Sequence, residues 1–255
     1  LTRRFGWQPP LELLVRSSAE IVLFTNYVSL PVSDKKKKVA LVVYDLSFID
    51  HPNYTEERNL AYLESFAKTS IYRADLIITI SEFTRDRLRS LFPAITCPIV
   101  VTPIPPALSQ AKDPINPSED LSKFSLSKKQ YILYLGTIEP RKNIERLILA
   151  YARLPKNISD KYPLVLAGGK GWRDEKILQT IKHHVQAGYN IKTTGYISER
   201  EKATLYKNAW CFVMPSIYEG FGMPILEAMQ FSTPTAVSDI PVFREVAGDA
   251  TLYFN

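Results

Sequence analysis

Apolar runs of strand length alternate with stretches of helical period for almost the whole chain. Val39–Tyr44, rich in Val and Leu and closed by the polar Asp45, reads as a buried strand. Glu56–Arg73 reads as a helix, because Leu60, Leu63, Ala67 and Ile71 recur at roughly helical spacing. Leu76–Ile80 is a second strand, and Ser81 offers an N-cap to a helix over Glu82–Leu91. Ile99–Thr102 is a third, short strand. Beyond Lys129 the alternation resumes. Strands are predicted at Tyr131–Leu135, Leu164–Ala167, Ile191–Thr193, Trp210–Met214 and Thr235–Val237, with a further strand at the end of the chain. Helices are predicted at Asn143–Arg153, Asp174–Ala187, Glu199–Asn208, Pro224–Gln230 and Val242–Ala247.

Val/Ile/Leu-rich strands alternating with helices predict parallel sheets covered on both faces. Pro103–Lys129 interrupts the pattern with five prolines among Ser, Asp and Lys, and reads as a connection between domains. The expected division is a first domain over 1–105, a proline-rich link over 106–129 and a second domain over 130–255. The first domain begins in mid-pattern and the second stops in a strand-like segment, so the chain reads as incomplete at both ends.

Composition narrows the class. With 45% hydrophobic and 23% charged residues the chain is an ordinary globular protein, neither disordered nor collagen-like. Cys97 and Cys211 lack any CxxC spacing, which argues against a zinc site or disulfide framework and for a reducing, cytoplasmic setting. No apolar run approaches the ~20 residues of a membrane span. A formal charge of +6 favours anionic partners. Much of the visible excess is the run Lys35–Lys38, read first as a solvated turn. Contact with an anionic membrane surface is its sharper alternative. No nucleic-acid motif accompanies the charge.

The densest chemistry follows the strand Trp210–Met214. There a loop carries Glu219, Gly220 and Gly222, and Pro224 suits the first position of the next helix. Ligands of open α/β sheets bind beyond the carboxyl ends of the strands. A glycine-lined loop opening a helix at that edge presents N–H groups and a positive dipole end, which suits phosphate. Glu219 before the helix and Glu227 inside it supply two carboxylates, each able to accept two hydroxyl hydrogen bonds. One can serve a sugar and the other a ribose diol.

Pro215-Ser-Ile-Tyr-Glu-Gly-Phe-Gly-Met-Pro-Ile-Leu-Glu-Ala-Met229 resembles the donor motif of the retaining glycosyltransferases of family 4, the group-1 type: Glu, seven residues, Glu. The resemblance runs from about Val39 to Asn255. It implies a GT-B architecture, two facing Rossmann-like α/β/α domains. It also implies transfer of a hexose, with retention of configuration, from a nucleoside diphosphate sugar to a saccharide or lipid-linked glycan. Glu227 would hold the ribose hydroxyls and Glu219 the transferred sugar, with Gly220, Phe221, Gly222 and Met223 lining sugar and diphosphate.

A second motif, Leu135-Gly-Thr-Ile-Glu-Pro-Arg-Lys-Asn143, also sits at a strand end. Arg141 and Lys142 can neutralise a departing diphosphate, the main catalytic demand when a sugar–phosphate bond ionises. Its form is similar to that of mannosyltransferase-like members and points to GDP-mannose as donor. Many relatives carry Arg at the position of Thr137, so the phosphate role rests on Arg141 and Lys142, with Gly136 and Thr137 lining the donor. The same resemblance puts the nucleotide base near Tyr196 and Ile197.

Leu166-Ala-Gly-Gly-Lys-Gly-Trp172 is neither GxGxxG nor a P-loop; its Gly168 and Gly169 read equally as turn or cleft glycines. On the acceptor side, Val43-Tyr-Asp-Leu46 is similar to a His-Asp-Leu strand end with Tyr44 in place of His. Asp45 remains the candidate to orient an acceptor hydroxyl or to stabilise positive charge on the sugar ring. His51 reads as structural. No cofactor or metal is implied, since no Asp-x-Asp closes a strand and no His cluster exists. Two other readings stay open: a sugar-nucleotide epimerase or phosphorylase on the same architecture, and a non-catalytic sugar-nucleotide-binding module.

Overall fold

Among the described residues of the computed structural model, ten strands, every pairing among them parallel, form two sheets. The structure describes residues 8–15, 17–106 and 121–255. The chain divides into two units, Leu1–Ile104 and Pro105–Asn255, with one sheet in each. Most of the proline-rich link, 107–120 with Pro114 and Pro117, lies outside the described residues. From Leu121 onward the chain belongs to the second unit, with Leu121 and Leu126 buried.

In the first unit β1 (Ile21–Phe24), β2 (Lys38–Val43), β3 (Leu76–Thr79) and β4 (Ile99–Val101) lie side by side in chain order. Leu41, Val43 and Ile77 are completely buried and pack with Leu63, Phe66 and Ile71 of the helix Glu57–Arg73. Two side chains start the helices, Ser81 as expected and Glu56 as the N-cap rather than the first helical residue. Glu56 accepts from the Asn59 N–H at 2.8 Å, and Ser81 Oγ accepts from the Thr84 N–H at 3.1 Å. β1 was not anticipated, although Ile21-Val-Leu-Phe24 is apolar throughout; it is a sheet edge, and its residues alternate between exposed and half-buried. The lysine run forms a turn. Lys35 and Lys36 are exposed, Lys37 Nζ donates to the Ser17 carbonyl at 2.6 Å, and Lys38 pairs with Asp75 at 2.9 Å.

In the second unit the strands are β5 (Ile132–Leu135), β6 (Leu164–Ala167), β7 (Ile191–Gly195), β8 (Cys211–Met214), β9 (Thr235–Ser238) and β10 (Leu252–Phe254). They are ordered β10-β9-β8-β5-β6-β7. The sheet grows outward from β5 through β6 to β7, then restarts beside β5 with β8 and grows the other way. The reversal falls between β5 and β8, and a parallel doubly wound sheet opens a crevice at that point, beyond the strands' carboxyl ends. Ile132, Tyr134, Leu164 and Leu166 form one cluster with Ile144 and Ile148 of the helix Ile144–Ala152 and with Ile177 and Ile181 of the helix Glu175–Gln186. Among the described residues no helix is long and apolar enough to cross a membrane.

Candidate functional site

The loops leaving β5 and β8 emerge together at the reversal point. A backbone hydrogen bond from the Ile217 N–H to the Arg141 carbonyl, 2.9 Å, stitches one to the other. In the first loop Pro140–Lys142 makes a 3-10 turn, and Asn143 then adopts a left-handed conformation (φ 57°) that Asn tolerates, before the helix Ile144–Ala152. In the second loop Gly222 (φ 115°) is the N-cap of the helix Met223–Gln230. Only glycine takes that conformation without strain, and an added Cβ would sit 3.0 Å from the Phe243 ring. Gly222 also has no side chain to cap the helix, and Pro224 follows in its first turn. The helix start is thereby shaped for an anion, with N–H groups and the positive end of the dipole uncovered by side-chain caps.

Arg141, Lys142 and Glu219 meet directly. Arg141 Nη1 donates to Glu219 Oε2 at 2.6 Å and Lys142 Nζ to Glu219 Oε1 at 2.6 Å, so each carboxylate oxygen has its own cation. The guanidinium also donates from Nη1 to the Tyr218 carbonyl at 2.7 Å and from Nη2 to Glu139 Oε1 at 2.8 Å. Burial alone would raise the Glu219 carboxyl, but Lys142 and Arg141 outweigh it and hold the group at about 2. For Glu139 the balance reverses. Burial dominates over Arg141 and Lys142, and its carboxyl is raised above the ordinary glutamate value. The sequence suggested cations for phosphate and a separate acid for sugar; the fold instead joins all three in one ion cluster, with Glu139 as a fourth, unforeseen member.

Glu227 lies in a second cluster. It is buried in the helix Met223–Gln230, with Lys202 Nζ donating to Oε1 at 2.8 Å and the Tyr206 hydroxyl donating to Oε2 at 3.0 Å. Both donors come from the helix Glu199–Asn208, whose start is closed by a reciprocal capping box between Ser198 and Glu201. Their four-residue spacing was visible in the sequence, but the partner they share on another helix was not.

The remaining candidates fall as follows. Gly220, Phe221 and Gly222 are buried and Met223 is half-buried. Thr137 is exposed, while its carbonyl accepts from the Tyr134 hydroxyl at 3.1 Å. Gly136 is backed by Tyr134, whose oxygen would lie 2.9 Å from an added Cβ. Tyr196 is 89% exposed and Ile197 half-buried, on the loop after β7. Asp45 lies in the first unit, where its Oδ1 accepts from the Ser47 N–H at 2.8 Å and the Ser47 hydroxyl at 2.7 Å, organising the short helix Ser47–Asp50. Tyr44 meets Tyr27 edge-on at 5.9 Å, and His51 stacks on Tyr54 at 5.7 Å. Among the described residues no three His, Cys, Asp or Glu side chains are grouped to hold a metal ion.

This arrangement can neutralise a phosphate-bearing ligand at the sheet reversal while presenting carboxylates to its hydroxyls. The comparisons agree in kind. The sequence pattern of the family described as "Glycosyl transferases group 1" matches residues 118–252. The chain is 37% identical over 219 residues to O-antigen chain mannosyltransferase B of Escherichia coli, covering 85% of this chain and 57% of that protein. It is 27% identical over 246 residues to the O-antigen chain mannosyltransferase RfbU of Salmonella typhimurium, covering 96% of this chain and 64% of that one. The chain therefore spans less than two-thirds of these relatives' length. Among solved structures it resembles in fold the Anabaena protein HepE in complex with UDP and glucose, with a TM-score of 0.68 and 17% identity over 86% of this chain and 58% of that one.

Proposed function

The chain belongs to the group 1 glycosyl transferases, and on that footing we propose that it moves a hexose, mannose by the names of the mannosyltransferases it is similar to, from a nucleoside diphosphate sugar to a saccharide or lipid-linked acceptor with retention of configuration. The observation that carries this reading is the Arg141–Glu219–Lys142 cluster at the sheet reversal, beside a helix opened by Gly222. The diphosphate lies against that helix start and Gly220–Met223, and Arg141 and Lys142 turn toward it as the sugar–phosphate bond ionises. Glu219, already ionised, then accepts hydroxyls of the transferred sugar, and Glu227 accepts those of the ribose. The base rests on the loop of Tyr196 and Ile197.

As the anomeric carbon–oxygen bond to phosphate breaks, the acceptor oxygen bonds that carbon from the same face and its proton passes to the leaving phosphate. Asp45 is the acceptor-side candidate: Ser47 occupies Oδ1, and Oδ2 can receive an acceptor hydroxyl or face developing positive charge on the ring. Free Cys97 and Cys211 suit a cytoplasmic setting.

Calorimetric titration of the full protein with GDP-, UDP- and ADP-sugars, followed by a transfer assay, tests the proposal. The expectation is one donor bound well below millimolar, transferred with retention, and not turned over by Glu219→Ala. Binding no tighter than millimolar for every donor sinks the donor-site reading. An epimerised donor without acceptor consumption points to an epimerase, and tight binding without turnover points to a binding module.

A further inference from the structure

Each oxygen of Glu227 is engaged by a protein donor. Lys202 Nζ holds Oε1 at 2.8 Å, and the Tyr206 hydroxyl holds Oε2 at 3.0 Å. Lys202 and Tyr206 are four residues apart in the helix Glu199–Asn208 and share one face of it. They approach the carboxylate together from that face. Lys202 Nζ also reaches Glu199 Oε2 at 3.2 Å, so its ammonium is itself steered from two sides.

An ionised carboxylate offers about four lone-pair positions, two on each oxygen. Lys202 and Tyr206 take one on each, and one on each oxygen is left. Two acceptor positions, on adjacent oxygens fixed in one plane, are what a vicinal diol requires. A carboxylate this deeply buried is costly without a cation. Lys202 keeps its charge: burial pulls its ammonium down, but the bonds to Glu227 and Glu199 more than restore it.

We infer that Lys202, with Tyr206, is a positioning residue that fixes the plane of Glu227 so its two remaining lone-pair positions receive the 2′- and 3′-hydroxyls of the donor ribose. The inference rests on the proposed donor site, in which Glu227 serves the ribose. It adds that a residue outside the two motifs sets ribose recognition. A lysine that merely offset a buried charge would contribute to stability and leave the choice between ribose and deoxyribose untouched.

The test compares the full protein's affinity for GDP or UDP, whichever the wild type binds more tightly, with that for the 2′-deoxy counterpart. The wild type is expected to prefer the ribonucleotide by about tenfold or more, the loss expected when a buried acceptor goes unpaired. In Lys202→Met the preference falls to near unity, donor KM rises more than kcat falls, and Lys202→Arg restores most of the preference. A preference unchanged in folded Lys202→Met overturns the inference. If Lys202→Met does not fold, Tyr206→Phe, which keeps the ring packing, carries the same comparison, and an unchanged ratio there overturns it equally. Glu227→Gln separates the levels. If that variant keeps the ribose preference, the ribose role of Glu227 is wrong and the inference falls with it. If it loses the preference while Lys202→Met keeps it, only the role of Lys202 is wrong.

Discussion

Arg141 and Glu219, 78 positions apart in sequence, are joined by a hydrogen-bonded ion pair of 2.6 Å at the point where the second sheet reverses direction. The same guanidinium holds Glu139, so one side chain compensates two buried carboxylates. Removing it leaves Glu139 without its ion-pair partner and Glu219 with Lys142 alone. Arg141→Met is expected to destabilise the protein by about 3–5 kcal/mol, the usual cost of leaving a buried charge unpaired. Arg141→Lys recovers only part of this, since a single ammonium cannot span the two acids as the planar fork does. Urea unfolding of the three proteins checks the order.

The charge on Glu219 has a pH signature. Its carboxyl stands at about 2, below the ordinary glutamate value of 4.5. A depressed acid stabilises the fold fully above its unfolded value and loses that contribution as pH falls through the folded one. A difference of this size corresponds to on the order of 3 kcal/mol, lost between pH 4.5 and pH 2. Glu139, raised by burial, works in the opposite direction: it opposes folding at neutral pH and ceases to as it protonates on acidification. Unfolding free energies from pH 7 down to 3 are therefore expected to fall more steeply in Glu139→Gln than in wild type. In Glu219→Gln they should flatten.

Much of the fold was legible because the signals were local. Ser81 begins its helix as capping chemistry requires, and Gly222 with Pro224 marks another start. The segments that escaped lacked such marks. β1 is a four-residue apolar run at a sheet edge, with no residue to mark its limits, and Ser47–Asp50 and Lys156–Lys161 are too short to display a helical period. In the site, the motifs exposed Arg141, Lys142, Glu219 and Glu227 singly. Their pairings were hidden because strand order decides them: β5 and β8 are neighbours only through the reversal. Glu139 stood in plain view within a motif, yet nothing local distinguishes an acid 2% exposed from a solvated one.

Tyr196 offers a test with little structural cost. At 89% exposed it packs against almost nothing, so Tyr196→Ala is expected to leave unfolding unchanged within about 0.5 kcal/mol. If the donor base rests on that loop, the same change should weaken nucleoside diphosphate binding by about 1–3 kcal/mol, the range of an aromatic–base stack. Binding of inorganic diphosphate should not change. Calorimetry with both ligands separates the two effects, and equal loss for both would remove the base from this loop.

Gly168 and Gly169, adjacent in sequence, should respond oppositely to one methyl group. After β6 the chain passes so close to the loop leaving β5 that a Cβ on Gly168 would lie 2.1 Å from the Gly136 carbonyl oxygen. Backbone cannot swing away as a side-chain tip can, and Gly168 also has φ +141°, which alanine rarely adopts. The Gly136 N–H is itself bonded to the Ala167 carbonyl at 2.9 Å, so relieving the clash strains the hydrogen bonds that align the two loops. Gly169 has open space where its Cβ would go. Gly168→Ala is therefore expected to cost several kcal/mol, roughly the 1–3 kcal/mol of a strained backbone plus displaced contacts, and to weaken donor binding through the Gly136 loop. Gly169→Ala should stay within about 0.5 kcal/mol of wild type and bind donor normally. Thermal unfolding and donor titration of the two single variants decide it: equal tolerance would mean the loops are not packed as closely as their backbone distances require.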